Sequence, residues 1–169
     1  MKRNSPAKDA AVLGLLFALA IVLSYLEGLL PSLLVPGVKL GLSNVVVMYC
    51  VFLLGARKAW LLTVLKALFV LLTRGLAGAA LSACGGLLSL GVMCLLTRRR
   101  DYSVPLVSIA GAVAHNVGQL LCAAFLLRLG QVLFYYLLLL VPAGVLMGAV
   151  TALLLRTLLP LLQKLDLHK

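Results

Sequence analysis

Charged residues, and acidic residues above all, are scarce in this sequence. Only 11% of its 169 residues are charged and four are acidic, whereas 64% are hydrophobic. Because a soluble domain is about a quarter charged, this chain has too few polar side chains to cover a surface that faces water. The composition excludes an ordinary cytosolic enzyme, a secreted disulfide domain and a disordered tail. It predicts an integral membrane protein.

Metal-ligand and nucleotide-binding patterns are also missing. The four cysteines lie within apolar runs, without the spacing of metal ligands, and are predicted to pack as apolar side chains. The four acids are scattered along the chain, so they do not form the carboxylate cluster that magnesium needs. There is no Walker-type phosphate loop either. We therefore expect no catalytic residues, no metal site and no cofactor, and we expect that the protein is not an enzyme.

Apolar runs separated by short breaks fill most of the chain. A spanning helix needs about 20 apolar residues, and unpaired backbone does not face lipid. We therefore predict an all-α bundle of six transmembrane helices in a single polytopic membrane domain. The second and third runs are short, so each must borrow flanking residues, or one of them is a partial span. The predicted spans are about residues 10–30, 42–54, 59–72, 79–96, 104–127 and 132–155.

Basic residues are distributed unevenly among the loops between these runs. Eleven of the fifteen Lys and Arg residues fall at the termini and in the second and fourth loops, and three fall in the remaining loops. Because positive residues collect on the cytoplasmic side, we predict a multi-pass protein of the cytoplasmic membrane with both termini in the cytoplasm. The charges lie at the ends of apolar runs rather than along one basic face, which argues against nucleic-acid binding.

Small residues recur at intervals of four on the first predicted span, at Ala10, Gly14 and Ala18. Such spacing allows close helix packing in lipid. One interpretation is a groove that docks a helix of another membrane protein, and the alternative is packing within the bundle.

Polar side chains on the fifth predicted span are costly in lipid and tend to face the bundle interior. His115 and Gln119 share a helix face, and Asn116 lies beside them. Three interpretations stay open: hydrogen bonds that hold neighbouring helices together, contact with a ligand, and a proton relay through His115.

The segment before the second span combines a glycine-rich turn with Lys39, near a helix start that Ser43 or Asn44 is expected to cap. A helix start favours an anion, and Arg74 and Arg128 fall on the same predicted side. These residues predict an anion site; the alternative is that the basic side chains extend to the lipid interface. Glu27 is expected to pair with Lys66 or Lys39.

Three motifs in order along the chain carry a family resemblance: PGVKLGLSN at 36–44, GGLLS at 85–89 and GAVAHNVGQ at 111–119. They resemble the heptaprenyl diphosphate synthase component I family, also called the Gx transporter family. That family is related to the substrate-binding S components of energy-coupling factor transporters, which have six helices and cytoplasmic termini. The resemblance implies that the small residues of the first span dock a coupling subunit, and that residues 31–41 cover the ligand from outside.

Taken together, the residues and the resemblance predict a membrane substrate-binding or transport subunit. Its ligand is small or amphipathic, anionic in one interpretation, and related to flavins, quinones or isoprenoids. Besides the lipid bilayer, its expected partners are energising transmembrane or ATPase subunits or a polyprenyl synthase. The alternative is a non-catalytic accessory or scaffold subunit of a polyprenyl diphosphate synthase or of a quinone-linked electron-transfer system. The candidate ligand-binding residues are Lys39, Asn44, Arg74, His115, Asn116 and Gln119, and the candidate docking residues are Ala10, Gly14 and Ala18.

Overall fold

The computed structural model describes residues 6–29, 41–98, 102–127 and 132–164. Within these ranges the chain is helical apart from short turns and contains no strand. Helix α2 continues directly into a π-helical segment. The elements in chain order are α1 (Pro6–Leu29), α2 (Asn44–Tyr49), the π-helical segment (Cys50–Leu54), α3 (Ala56–Thr97), α4 (Val104–Leu127) and α5 (Val132–Lys164).

Four of the described helices, α1, α3, α4 and α5, are long and apolar enough to cross a membrane. Their outer surfaces carry large apolar side chains, and Leu72 and Phe125 are 85% and 86% exposed. A large apolar surface of this kind is unfavourable in water and suits contact with lipid. The chain is therefore an all-α, multi-pass membrane protein, which confirms the class that its composition predicts.

The third and fourth predicted runs both lie in α3, which Gly75 interrupts with non-helical dihedral angles (φ 75°, ψ −173°). A Cβ atom at Gly86 would lie 2.9 Å from Thr63 Cγ2, and one at Gly78 would lie 3.4 Å from Val70 Cγ1. In a straight helix, residues 63 and 86 would be about 35 Å apart at 1.5 Å per residue. Helix α3 is therefore a hairpin with its turn at Gly75. Only glycine readily adopts these dihedral angles.

The second predicted run forms the short apolar stretch Asn44–Leu54 rather than a long helix. Residues 44–51 are all buried. Residues 46–51 belong to a core that also contains Val12 and Leu16 of α1 and Leu62 and Leu90 of α3. This stretch lies inside the bundle, which explains why a short run is compatible with the fold.

Helix α4 packs mainly against α3 and α5. A Cβ at Gly148 would lie 2.5 Å from Ile109 Cα, and one at Gly144 would lie 3.0 Å from Val113 Cα. Because residue numbers increase along α4 from one contact to the next while they decrease along α5, these two helices run antiparallel. Ser108 Oγ also donates a hydrogen bond to the Gly148 carbonyl oxygen at 2.6 Å.

The first turns of α1, α3 and α4 lie at one end of the bundle. Asp9 Oδ1 and Lys58 Nζ form an ion pair at 2.9 Å between α1 and α3. The Phe52 and Tyr102 rings stack with centroids 5.5 Å apart, which brings the start of α4 to the same end. We call this the Asp9 end. The opposite end, where α1 finishes and α3 turns, is the cavity end.

Candidate ligand-binding site

A cavity of about 230 Å³, to which mainly residues with polar side chains contribute, lies at the cavity end of the bundle. The last turns of α1, the start of α2, both halves of α3 and the middle of α4 form its wall. Its volume is below the about 300–1,000 Å³ of typical small-molecule pockets, so it suits a small ligand or the polar part of a larger one. The residues with polar side chains in its lining are Ser24, Glu27, Ser43, Lys66, Arg74, Ser82, His115 and Gln119.

The turn that precedes α2 depends on the backbone of Gly41. Its φ of 90° is a conformation that side chains disfavour, and its carbonyl oxygen accepts a hydrogen bond from Asn44 N at 2.8 Å. The Gly41 N–H donates to Glu27 Oε1, which ties the end of α1 to the start of α2. Ser43 occupies the N-cap position of α2 without forming a side-chain cap. The predicted capping role of Ser43 is therefore wrong.

The Ser43 hydroxyl instead accepts a hydrogen bond from Lys66. Lys66 Nζ lies 2.7 Å from Ser43 Oγ and 3.5 Å from Asn44 Oδ1. Lys66 is only 7% exposed, and a buried ammonium group needs polar partners because it has lost its hydration. The side chains at the start of α2 thus hold a positive charge at the wall of the cavity.

His115 and Gln119 reach the cavity because α3 and α4 approach closely at Gly85. A Cβ at Gly85 would lie 2.7 Å from Gln119 Cγ and 2.9 Å from the His115 carbonyl oxygen. The His115 ring lies against Gly85, since its Cε1 would be 3.0 Å from a Cβ there. Its Nδ1 is buried, and no group in the described part of the chain hydrogen-bonds to it. Other atoms of His115 contribute to the cavity wall.

Arg74 adds a second positive charge at the turn of α3. Its side chain is exposed, and its Nη2 would lie 3.0 Å from a Cβ at Gly28 near the end of α1. Among the described residues it makes no hydrogen bond or ion pair. Arg74 and Lys66 face a single carboxylate, that of Glu27, across the same cavity. An anionic group is therefore favoured there by electrostatic attraction.

The structure brings together three of the six predicted ligand-binding residues: Arg74, His115 and Gln119. Asn44 lies next to this group, since it contacts Lys66, and its Nδ2 has no hydrogen-bond partner within the described residues. Asn116 does not line the cavity. Its Nδ2 donates to the Leu140 carbonyl oxygen at 3.0 Å and so links α4 to α5. The predicted positions Lys39 and Arg128 lie outside the described residues.

Several residues of the cavity wall were not among the predicted ligand-binding residues. Glu27 and Lys66 are each the charged residue within an apolar run, and that alone was a signal for a buried site. Ser24 lies one turn before Glu27 on the same face of α1, and Ser82 lies on the second half of α3. Because serine is common in transmembrane helices, neither of these two could be singled out from its place in the sequence.

The predicted docking residues form an open stripe on α1. Ala10, Gly14 and Ala18 are all exposed, and a Cβ at Gly14 would meet no atom within 4 Å. The described part of the bundle does not cover this stripe.

Within the described residues, no three His, Cys, Asp or Glu side chains come together as a metal site would require. The cavity can hold a polar or anionic group through charge and hydrogen bonds.

Comparison with known proteins identifies one family. The family model described as heptaprenyl diphosphate synthase component I matches residues 16–158, most of the chain. No curated protein and no solved structure matches it. The matched region includes α1 from Leu16, the whole cavity wall and most of α5.

Proposed function

The chain belongs to the heptaprenyl diphosphate synthase component I family, and on that premise we propose that it is a membrane subunit that binds and transports a small or amphipathic ligand. The cavity holds an anionic group of this ligand. The observation that carries the proposal is a cavity whose wall includes two positively charged side chains, Lys66 and Arg74, and a single carboxylate, that of Glu27. The excess positive charge favours an anionic group there, and His115 and Gln119 also contribute to the wall.

The size of the cavity limits what enters it. About 230 Å³ accommodates a diphosphate, a carboxylate-bearing ring or the headgroup of an amphipathic molecule. Flavin-, quinone- or isoprenoid-related ligands fit this proposal through their polar ends. Lys66 and Arg74 neutralise the charge, and Gln119 and His115 orient the group by hydrogen bonds.

The topology that we propose has six crossings with both termini in the cytoplasm. The two halves of α3 count as two crossings, and Asn44–Leu54 with its flanking residues counts as one. The Asp9 end, which carries Lys58 and Arg98, is the cytoplasmic end because positive residues collect there. The cavity then opens on the outer side of the cell membrane. The open stripe of Ala10, Gly14 and Ala18 docks an energising membrane subunit in this proposal.

Ligand binding is tested by thermal unfolding of the purified protein in detergent. The probes are inorganic diphosphate, geranyl diphosphate, riboflavin 5′-phosphate and a neutral short-chain quinone. We expect at least one anionic probe to raise the unfolding temperature.

Arg74→Gln and Arg57→Gln are the matched variants for this test. Both arginines are exposed and both lie on α3, but Arg57 is at the Asp9 end. Arg74→Gln should abolish the stabilisation, and Arg57→Gln should retain it. A probe that stabilises both variants equally, or no stabilisation by any probe, would contradict the proposed site.

A second candidate function rests on the family description, which names a component of a synthase. In that function the chain is an accessory subunit that recruits a polyprenyl diphosphate synthase to the membrane, and Arg98 with its basic neighbours is the docking loop. Co-purification of a synthase from membranes, lost on neutralising residues 98–100, would favour it. Retention of the synthase by that variant would contradict the docking loop.

A further inference from the structure

Two cysteines that are far apart in sequence meet at the crossing of α3 and α4. Cys84 on α3 and Cys122 on α4 lie near enough for their thiols to interact. Cys84 is exposed and Cys122 is half-buried. This pair is absent from the cavity lining and plays no part in the proposed ligand binding.

The backbones of the two helices approach closely at this crossing. A Cβ at Gly118 would lie 2.7 Å from the Cys84 carbonyl oxygen and 3.0 Å from Gly85 Cα, so only glycine permits this approach. Cys122 lies one turn beyond Gly118 on the same face of α4. Disulfides join Cα atoms about 4.4–6.8 Å apart, and glycines at a helix crossing provide such short separations.

We propose that Cys84 and Cys122 are a redox modification site, a dithiol that a lipid-soluble quinone oxidises to a disulfide. Each thiol loses one proton and one electron as the S–S bond forms. The quinone takes up the two protons and two electrons and becomes the hydroquinone.

The position of the pair selects this class of oxidant. Cys84 is exposed on an apolar helix, beside Leu87 and Leu88, which are 38% and 40% exposed. Such a surface faces hydrocarbon, where charged disulfides such as oxidised glutathione do not partition. A quinone dissolves in that layer and accepts two electrons at once.

Formation of this disulfide would affect the wall of the cavity. Gly85, which follows Cys84, lies against His115 and Gln119. A disulfide would therefore fix the α3–α4 crossing beside these two side chains.

The test uses the full chain, reduced and purified in detergent, and duroquinone as the oxidant. All ring positions of duroquinone carry methyl groups, so thiols do not add to the ring readily. The remaining thiols are counted by maleimide labelling and mass spectrometry, and the linked peptides are mapped. We expect the wild type to lose two thiols and to yield the 84–122 linkage within one chain.

The four cysteines supply matched controls. Cys50 is completely buried and Cys94 is half-buried in the core region, so the double variant Cys50→Ser and Cys94→Ser should oxidise at the wild-type rate. Cys84→Ser and Cys122→Ser should each lose thiols at least tenfold more slowly. Because the linkage is mapped in the wild type, the test does not depend on any variant folding.

Three results would overturn the proposal. They are oxidation of Cys84→Ser at the wild-type rate, a linkage that contains Cys50 or Cys94, and a linkage between two chains. Copper–phenanthroline tests the geometry separately. If it forms the 84–122 bond while duroquinone does not, the quinone is the wrong oxidant.

Discussion

Replacement of Gly85 by alanine tests the packing that places His115 and Gln119 at the cavity. The new Cβ would lie 2.7 Å from Gln119 Cγ, 2.9 Å from the His115 carbonyl oxygen and 3.0 Å from His115 Cε1. Real Cβ atoms essentially never show contacts below 3.0 Å, so α3 and α4 must separate. Overpacking of this kind costs about 1–3 kcal/mol, whereas alanine in place of glycine stabilises a helix by up to about 1 kcal/mol.

Gly91→Ala is the matched control, because Gly91 lies on the same helix and a Cβ there would meet no atom within 4 Å. It receives the same gain in helix propensity without the steric cost. The difference in unfolding free energy between the two variants therefore isolates the steric term, which we expect to be about 1–3 kcal/mol in favour of Gly91→Ala. Trp60, the single tryptophan of the chain, reports unfolding by fluorescence in mixed micelles with increasing sodium dodecyl sulfate.

The same two variants separate packing from binding. Gly85→Ala should also reduce the stabilisation by an anionic probe at least tenfold in apparent affinity, because His115 and Gln119 are displaced. Equal unfolding free energies for Gly85→Ala and Gly91→Ala would refute the close approach of α3 and α4 at this point. Unchanged probe binding in a destabilised Gly85→Ala would refute the role of these two residues in the cavity.

Three further substitutions have defined outcomes in the same unfolding assay. Ser43→Ala removes the acceptor 2.7 Å from buried Lys66 Nζ, so we expect the free energy of unfolding to fall by about 1–3 kcal/mol, whereas Ser43→Thr should retain most of the stability. An unchanged free energy of unfolding in Ser43→Ala would contradict this hydrogen bond. Gly75→Ala forces a side chain into a glycine-specific conformation and should cost about 1–3 kcal/mol, and a stabilised variant would mean that α3 continues straight. Asp9→Asn breaks a half-exposed ion pair with Lys58 and should cost less than about 1 kcal/mol, so a larger loss would indicate a more buried pair.

Individual residues show where prediction from sequence succeeded. Long apolar runs dictate helices in lipid because the backbone must satisfy its own hydrogen bonds, and the motifs at 36–44, 85–89 and 111–119 pointed to the family that the comparison confirms. The placement of His115 and Gln119 on one helix face followed from helical periodicity. The cytoplasmic location of the termini and the docking role of the α1 stripe stay predictions.

Other residues could not be placed without the tertiary structure. Asn116 is adjacent to His115 in sequence, but about 100° of helical rotation per residue turns its side chain towards α5. There it donates a hydrogen bond to the Leu140 carbonyl oxygen. Serine is a common helix cap, but the Ser43 hydroxyl accepts a hydrogen bond from Lys66, which is distant in sequence.

The amino-acid sequence by itself determined the class of this protein. Apolar surface in water and unpaired backbone in lipid both cost free energy, and these costs depend on the composition and on the arrangement of residues along the chain. It also determined the family, and it marked the scarce polar side chains of the spans. Only the tertiary structure decided that α3 folds back at Gly75, that Asn44–Leu54 is buried, and that Lys66, Arg74 and His115 share one cavity. These features depend on contacts between helices that are distant in sequence. Where a glycine lets two helices approach closely, that approach decides which side chains come into contact.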